Sequence, residues 1–165
     1  MPAYELAQLN IGIIRGPMDS PVMAEFAANL ARINALADGA PGFVWRLQTD
    51  AGDATAIRPF DDENLLVNMS VWRDLESLQQ FVYHSAHVEI MRRRREWFER
   101  MSEAYMVLWW VPRGHRPGID EAIARLESLR RQGASPAAFT FRQPFPPPDA
   151  PQEAVPGFDE ECPAT

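Results

Sequence analysis

Two histidines three residues apart, His84 and His87, stand ahead of four consecutive arginines, Arg92 to Arg95, in the stretch FVYHSAHVEIMRRRREWFER. Imidazoles at that spacing lie near one side of a helix, where they can ligate a metal, move a proton or polarise a ligand. Guanidinium groups grip carboxylates and phosphates through paired hydrogen bonds. Two asparagines, Asn10 and Asn68, sit inside the apolar runs AQLNI and LLVNMSVW. A buried amide must find hydrogen-bond partners. The pair therefore serves either as a cross-strand network that fixes register or as amides that orient a ligand.

Stepping roughly 100° per residue from His87 sorts the arginines. Ile90, Met91, Trp97, Phe98 and Met101 fall in one apolar sector, with Arg94 near its middle. Arg92, Arg93 and Arg95 point away and read as a solvated face. An inward arginine requires a counter-charge. Candidates are Glu96 of another chain, an acid of the Asp61-Asp62-Glu63 segment, or an anionic group on a ligand. His87 shares the inward side and is a candidate proton carrier, and His84 is a candidate substrate contact. No metal site is expected. His115 is the only other histidine and Cys162 the only cysteine, so a third ligand is missing near the pair. Of the five tryptophans, most read as core or interface. Trp97 and Trp109 are the candidate pocket walls.

The composition excludes several classes. The net charge is −7, and Asp149, Glu153, Asp159, Glu160 and Glu161 supply five of those negatives near the C-terminus, so residues 1–145 carry only −2. A general nucleic-acid binder needs a basic surface and is not expected. All 16 basic residues are arginine, which removes Schiff-base and phosphate-loop lysine chemistry. No run approaches the ~20 apolar residues of a membrane span, and the N-terminus lacks the pattern of a secretory signal. A soluble, cytoplasmic protein is expected. The segment 146–165 is rich in proline and acid and reads as a disordered tail, leaving 1–145 as one domain.

These side chains need elements to carry them. Residues 4–14 read as a first strand, with Leu9, Ile11 and Ile13 on one face and Gln8 and Asn10 on the other. Ser20-Pro21 starts a helix that Gly39 and Pro41 stop. Residues 42–49 form a second strand, with Phe43, Trp45 and Leu47 sharing one face and Val44, Arg46 and Gln48 the other. A one-residue slip there exchanges Arg46, the second candidate cation of the site, with Trp45. Residues 50–63 are a candidate lid. A third strand ends at Trp72, and Asp74 caps a helix that breaks near Ser85. A fourth strand ends at Pro112, a last helix spans 119–133, and residues 135–145 pack back on the body. This β-α-β-β-α-β order is the split βαβ, or ferredoxin-like, arrangement: an α+β fold whose antiparallel sheet carries helices on one face. The expectation is that Gln8, Asn10, Arg46, Gln48, Asn68 and Ser70 line the helix-free face, as a wet pocket closed by a second copy of the sheet.

With AQLNI, INALADGAPGFVWRLQ, LLVNMSVW, the FVYHSAHVEIMRRRREWFE helix and LWWVPRGHRP in view, the chain from about Tyr4 to Phe145 resembles a bacterial family of unknown function in the dimeric α+β barrel superfamily. The resemblance implies a protomer that pairs as a homodimer and holds a small-molecule ligand in a cavity between sheet and helices. Similar superfamily members include antibiotic-biosynthesis monooxygenases, haem-degrading oxygenases and small isomerases or cyclases. By the same resemblance, His87 lies where haem-degrading relatives place a helix histidine. Asn10, Asn68 and a tryptophan are similar to the cavity residues of cofactor-independent oxygenases. Three readings follow. The first is an enzyme without cofactor that oxygenates, isomerises or cyclises an aromatic or polyketide-like compound. There His87, Asn68 and Asn10 are catalytic, and Arg46 or Arg94 faces the developing charge. The second is a haem protein with His87 or His84 as axial ligand. The third is a non-catalytic module that binds a ligand, or a partner through its acidic tail.

Overall fold

Alternating apolar residues build four strands, β1 (Tyr4–Ile13), β2 (Phe43–Arg46), β3 (Leu65–Trp72) and β4 (Met106–Pro112). The computed structural model describes residues 3–48, 65–85 and 87–149. The expected lid, the Asp61-Asp62-Glu63 acids and residues 150–165 of the tail lie outside them. The strands form one sheet in the order β2-β3-β1-β4, with every neighbouring pair antiparallel. Helix α1 (Ala24–Asp38) connects β1 to β2. Helices α2 (Leu75–His84), α3 (His87–Arg92) and α4 (Arg94–Trp97) connect β3 to β4, and α5 (Ile119–Gln132) follows β4. Central β1 and β3, with helical crossovers on either side of a β2-β3 pair, define the ferredoxin-like fold that the element order predicts.

Local chemistry sets the helix ends. Pro21 opens a single 3-10 turn that runs into α1, and Gly39 ends α1. Ser20 makes no side-chain cap; its hydroxyl donates back to the Pro17 carbonyl instead. Asp74 is extended and accepts from the Ser77 amide at 2.8 Å, the N-cap that the sequence predicts. Burial pushes the Asp74 carboxyl up, but hydrogen bonds from Ser77 and Arg73 outweigh it and hold the group below its ordinary value.

Each face of the sheet has its own cover. Leu9, Ile11, Val67, Met69, Val71, Val107 and Trp109 pack with Ala122, Leu126 and Leu129 of α5 and with Ala138. Leu6, Trp72 and Leu108, on the opposite face, pack with Ala37 of α1, with Leu78 and Phe81 of α2, and with Phe139. Phe139 exchanges two backbone hydrogen bonds with Leu108, both 2.8 Å, so residues 135–145 do fold back on the body. The polar residues Gln8, Asn10, Asn68 and Ser70 belong to the face under α1, α2 and α3, which corrects the expectation that they line a helix-free face. Alternation along a strand says which residues share a side; it does not say which layer covers that side. Nor is the second face bare. Val71 and Trp109 are 0 % exposed and Leu9 is 1 % exposed within the single chain, so no second sheet is needed to bury them.

Strand β2 departs from strict alternation. Phe43 pairs with Trp72, Trp45 with Val71 and Arg46 with Ser70, with a bulge between Phe43 and Trp45. The extra residue rotates the strand, so Phe43 and Arg46 line the same cavity while Trp45 packs on the α5 side. Just before this strand, Gly42 has φ +82°, and a Cβ there would meet Ser77 Oγ at 2.1 Å. The tight turn that seats β2 against the start of α2 therefore requires glycine. Gly42→Ala is expected to cost about 1–3 kcal/mol from the backbone alone, read as a lower urea midpoint. An unchanged midpoint would mean that Ser77 and the turn relax at no cost.

Candidate functional site

The site begins with one buried amide. Gln8, 5 % exposed, lies on β1 opposite Ser70 of β3, and Asn10 lies opposite Asn68. Gln8 Nε2 donates to Asn68 Oδ1 at 2.7 Å and to Ser70 Oγ at 2.8 Å, while its Oε1 accepts from Asn10 Nδ2 at 3.3 Å. Ser70 Oγ also accepts from Trp72 Nε1 at 2.9 Å. Both hydrogens of the Gln8 amide are thus committed, and each asparagine is held by one atom. Among the described residues the Asn68 Nδ2 group has no acceptor. Asn68 is exposed although its strand neighbours Val67 and Met69 are buried, because it borders an open space beneath the helices.

The helical side is built from broken helices. Ser85 ends α2 with extended ψ, its hydroxyl donates to the Phe81 carbonyl, and its Oγ accepts from the His87 amide at 3.1 Å. This break, expected from the sequence, separates the two histidines. His84 ends α2 exposed to solvent, away from the cavity, which corrects its expected role as a substrate contact. His87 opens α3 and lines the cavity, its ring 5.1 Å from that of Phe81. His87 Nδ1 is shielded from solvent and has no hydrogen-bond partner. Burial pulls His87 below the ordinary imidazole range, against a smaller upward pull from the Val82 backbone, so the ring is neutral at pH 7.

A second break at Arg93 restarts the chain as α4. Beyond it, Glu99 N donates to the Ile13 carbonyl and Arg15 N to the Trp97 carbonyl, both at 2.8 Å, which ties this segment to the end of β1. The Phe98 ring presents an edge to Gly12, where a Cβ would come within 2.4 Å of it. Arg94 lines the cavity over the rings of Phe98 and Tyr105, 4.8 and 4.3 Å from their centroids, and its Nη2 donates to the Ile11 carbonyl at 3.3 Å. Arg94 makes no ion pair among the described residues. Burial lowers its pKa, with a smaller opposing effect from Tyr105, yet an arginine keeps its proton in a protein. Arg93 instead pairs with Glu25 and Glu96 at the surface, and Arg92 and Arg95 are exposed. Arg94 alone of the four turns inward, as the helical pattern predicts.

Arg46 also lines the cavity but donates to both carboxylate oxygens of Asp38, at 2.7 and 3.3 Å. Two expected wall residues lie elsewhere. Trp97 is buried with Ile14, Met23 and Leu66 at the end of the helical layer, because the break at Arg93 interrupts the turn that would align it with His87. Trp109 falls on the α5 face and donates to Glu121 at 2.9 Å. His115 pairs with that same Glu121, so the three histidines do not meet. No group of three possible metal ligands occurs among the described residues. Trp72, Tyr105 and Gly12 belong to the site and were not singled out for it; the pairing of Trp72 with Ser70, two residues apart on one strand face, was the available signal.

The cavity has a volume of about 180 Å³, and its described lining residues include no aspartate or glutamate. An apolar cavity of about 150 Å³ accepts benzene, so this one suits a compact ring compound. A haem is at least drug-sized, and ligands of that size occupy pockets of roughly 300–1,000 Å³. At about 180 Å³ the cavity among the described residues is smaller than such pockets, and His84 faces solvent.

Together, the fold and site define a ferredoxin-like α+β domain with a cavity between its sheet and its first helical layer. Residues 5–155 match the family model described as Domain of unknown function (DUF3291), and the chain belongs to that family. Comparison with functionally curated proteins gave no match. Among solved structures, the chain is similar to SnoaB, a cofactor-independent oxygenase from Streptomyces nogalater, at 20 % identity and TM-score 0.46, over 71 % of this chain and 98 % of that one. It is also similar to a protein of unknown function from Nitrosomonas europaea, at 12 % identity and TM-score 0.44, over 70 % and 95 %. No helix among the described residues is long and apolar enough to cross a membrane.

Two measurements check the site. Because the folded pKa of His87 is lowered, its neutral form contributes stability above the ordinary value of 6.5, and that contribution is lost as the pH falls below it. An NMR titration of His87 should show a midpoint below 6.5, and His87→Gln should flatten the acid limb of the stability profile; a midpoint at or above 6.5 would contradict a buried neutral ring. Separately, haemin added to the purified protein should produce no Soret band of an axially ligated complex. A stoichiometric shifted band would show that the cavity opens far wider than this.

Proposed function

We propose that this protein is a small-molecule enzyme whose cavity abstracts a proton next to a carbonyl group, without a metal. That step begins isomerisation and cyclisation, and also oxygenation when dioxygen is the co-reactant. The observation that carries the reading is the company that His87 and Arg94 keep. An imidazole with an unpartnered nitrogen and a guanidinium with no carboxylate partner among the described residues line one cavity walled mainly by apolar side chains.

In this reading the His87 imidazole accepts the proton from a substrate C–H. The C–H bonding pair becomes a carbon–carbon double bond, and the carbonyl π pair moves onto the oxygen, which becomes an enolate oxygen. Asn68 Nδ2 and the remaining N–H of Asn10 donate to it, and the charge of Arg94 stabilises it. Isomerisation is complete when the imidazolium returns the proton to a different carbon. Gln8 holds both asparagines in place beforehand, so little reorganisation accompanies the charge movement. A homodimer, expected from the resemblance, would use a surface other than the α5-covered sheet face, whose side chains are buried within one chain.

Mass spectrometry of small molecules released from the purified protein would supply a ligand. Wild-type protein should then exchange the hydrogen beside its carbonyl for deuterium. His87→Ala should slow that exchange by about 10²–10⁴-fold, and Asn68→Ala should slow it while the fold stays intact by circular dichroism. Tight binding with no exchange in the wild type would instead establish a non-catalytic binding module.

A further inference from the structure

We infer that Arg94 anchors a planar monoanion whose charge is shared by two oxygens, carried by a compact unsaturated ligand. The inference rests on the small-molecule reading above and narrows it to a substrate class. Arg94 has five N–H donors, and one bond, to the Ile11 carbonyl, is made among the described residues. The rings of Phe98 and Tyr105 attract the cation but do not replace a strong acceptor. The other cation in the cavity, Arg46, already has both oxygens of Asp38. No described lining residue is acidic. Among the described residues the cavity therefore presents one uncompensated positive charge, with donors left over, in apolar walls, and one negative charge on the ligand balances it.

The shape of that anion follows from the guanidinium. Its planar fork matches two oxygens in one plane, as in a carboxylate or in the enolate of a 1,3-dicarbonyl compound. A phosphate monoester carries close to two negative charges at neutral pH, more than one arginine offsets. A cationic ligand would meet Arg94 with like charge. The volume of about 180 Å³ limits the body of the ligand to about one ring. The position of Arg94 is itself constrained, since Phe98 beneath it needs the bare Cα of Gly12.

Isothermal titration calorimetry with benzoate, 1,3-cyclohexanedione and benzamide tests this on the full chain. Benzoate or the dione should bind at least about tenfold more tightly than neutral benzamide, and Arg94→Met should abolish the difference while benzamide binding persists. Binding of benzoate alone identifies a carboxylate, and binding of the dione alone an enolate; either outcome supports the anchor. If Arg94→Met fails to fold, Arg94→Lys decides: it should weaken the anion several-fold, because an ammonium lacks the fork, and full affinity would overturn the two-oxygen geometry. Equal binding of benzamide and benzoate would overturn the anion anchor and leave the small-molecule cavity standing. No binding of any probe to a folded protein would overturn the cavity reading itself.

Discussion

A buried primary amide has four hydrogen-bonding positions to satisfy, and that constraint at Gln8 organises this molecule. The side chain lies under the helices between β1 and β3, where leaving a polar atom unpaired costs about 1–3 kcal/mol. Its partners are Ser70 and Asn68 across the strand pair and Asn10 along its own strand. A shift of one residue between β1 and β3 would turn those partners to the α5 face and strand the amide in oil. The same bonds that lock the register also fix the rotation of two asparagines bordering open space. The register is thus secured by the inner halves of the amides, and the outer halves border the open space.

The opposite wall reaches its form by interruption. A continuous helix from Leu75 to Trp97 would carry successive side chains around the axis at a fixed step. Ser85 and Arg93 break it into three pieces. The first break uses a serine hydroxyl to satisfy backbone groups on both sides, donating to Phe81 and accepting from His87. The second lets the chain drop onto the exit of β1, where Phe98 lies on Gly12 and brings Arg94 over the Tyr105 ring. His87 and Arg94 thus arrive at one cavity from separate short helices, each with its own backbone anchor.

Much of this was legible in the sequence. The order of strands and helices along the chain, the cap at Asp74, the break near Ser85 and the inward turn of Arg94 followed from periodicity and from the types of a few residues. Three things were not legible, each for a physical reason. The pairing of Gln8 and Asn10 with one sheet face was clear, but the layer above that face depends on how connections cross the sheet. The bulge in β2 hid the fact that Phe43 and Arg46 share a side, because an inserted residue leaves no mark in an alternation only four residues long. Trp97 and Trp109 could not be told from pocket walls, since an indole suits a dry core and a ligand wall equally; what settled them was the break at Arg93 and the bond to Glu121. Gly12 was silent for the opposite reason: its importance lies in an absent side chain.

The two covers of the sheet differ in what they can yield. On the α5 side, Leu9, Val71 and Trp109 are packed with no exposed surface to speak of, so the β layer has a stiff backing and cannot bow away from a bulky guest. On the other side the cover is α1 and a run of shorter helices broken at Ser85 and Arg93. Divergence of cavity shape among homologous chains is then expected to concentrate in the ceiling, in the lengths of the pieces around Ser85 and Arg93 and in the rings of Phe81 and Phe98, while the amide-bearing floor is inherited nearly unchanged.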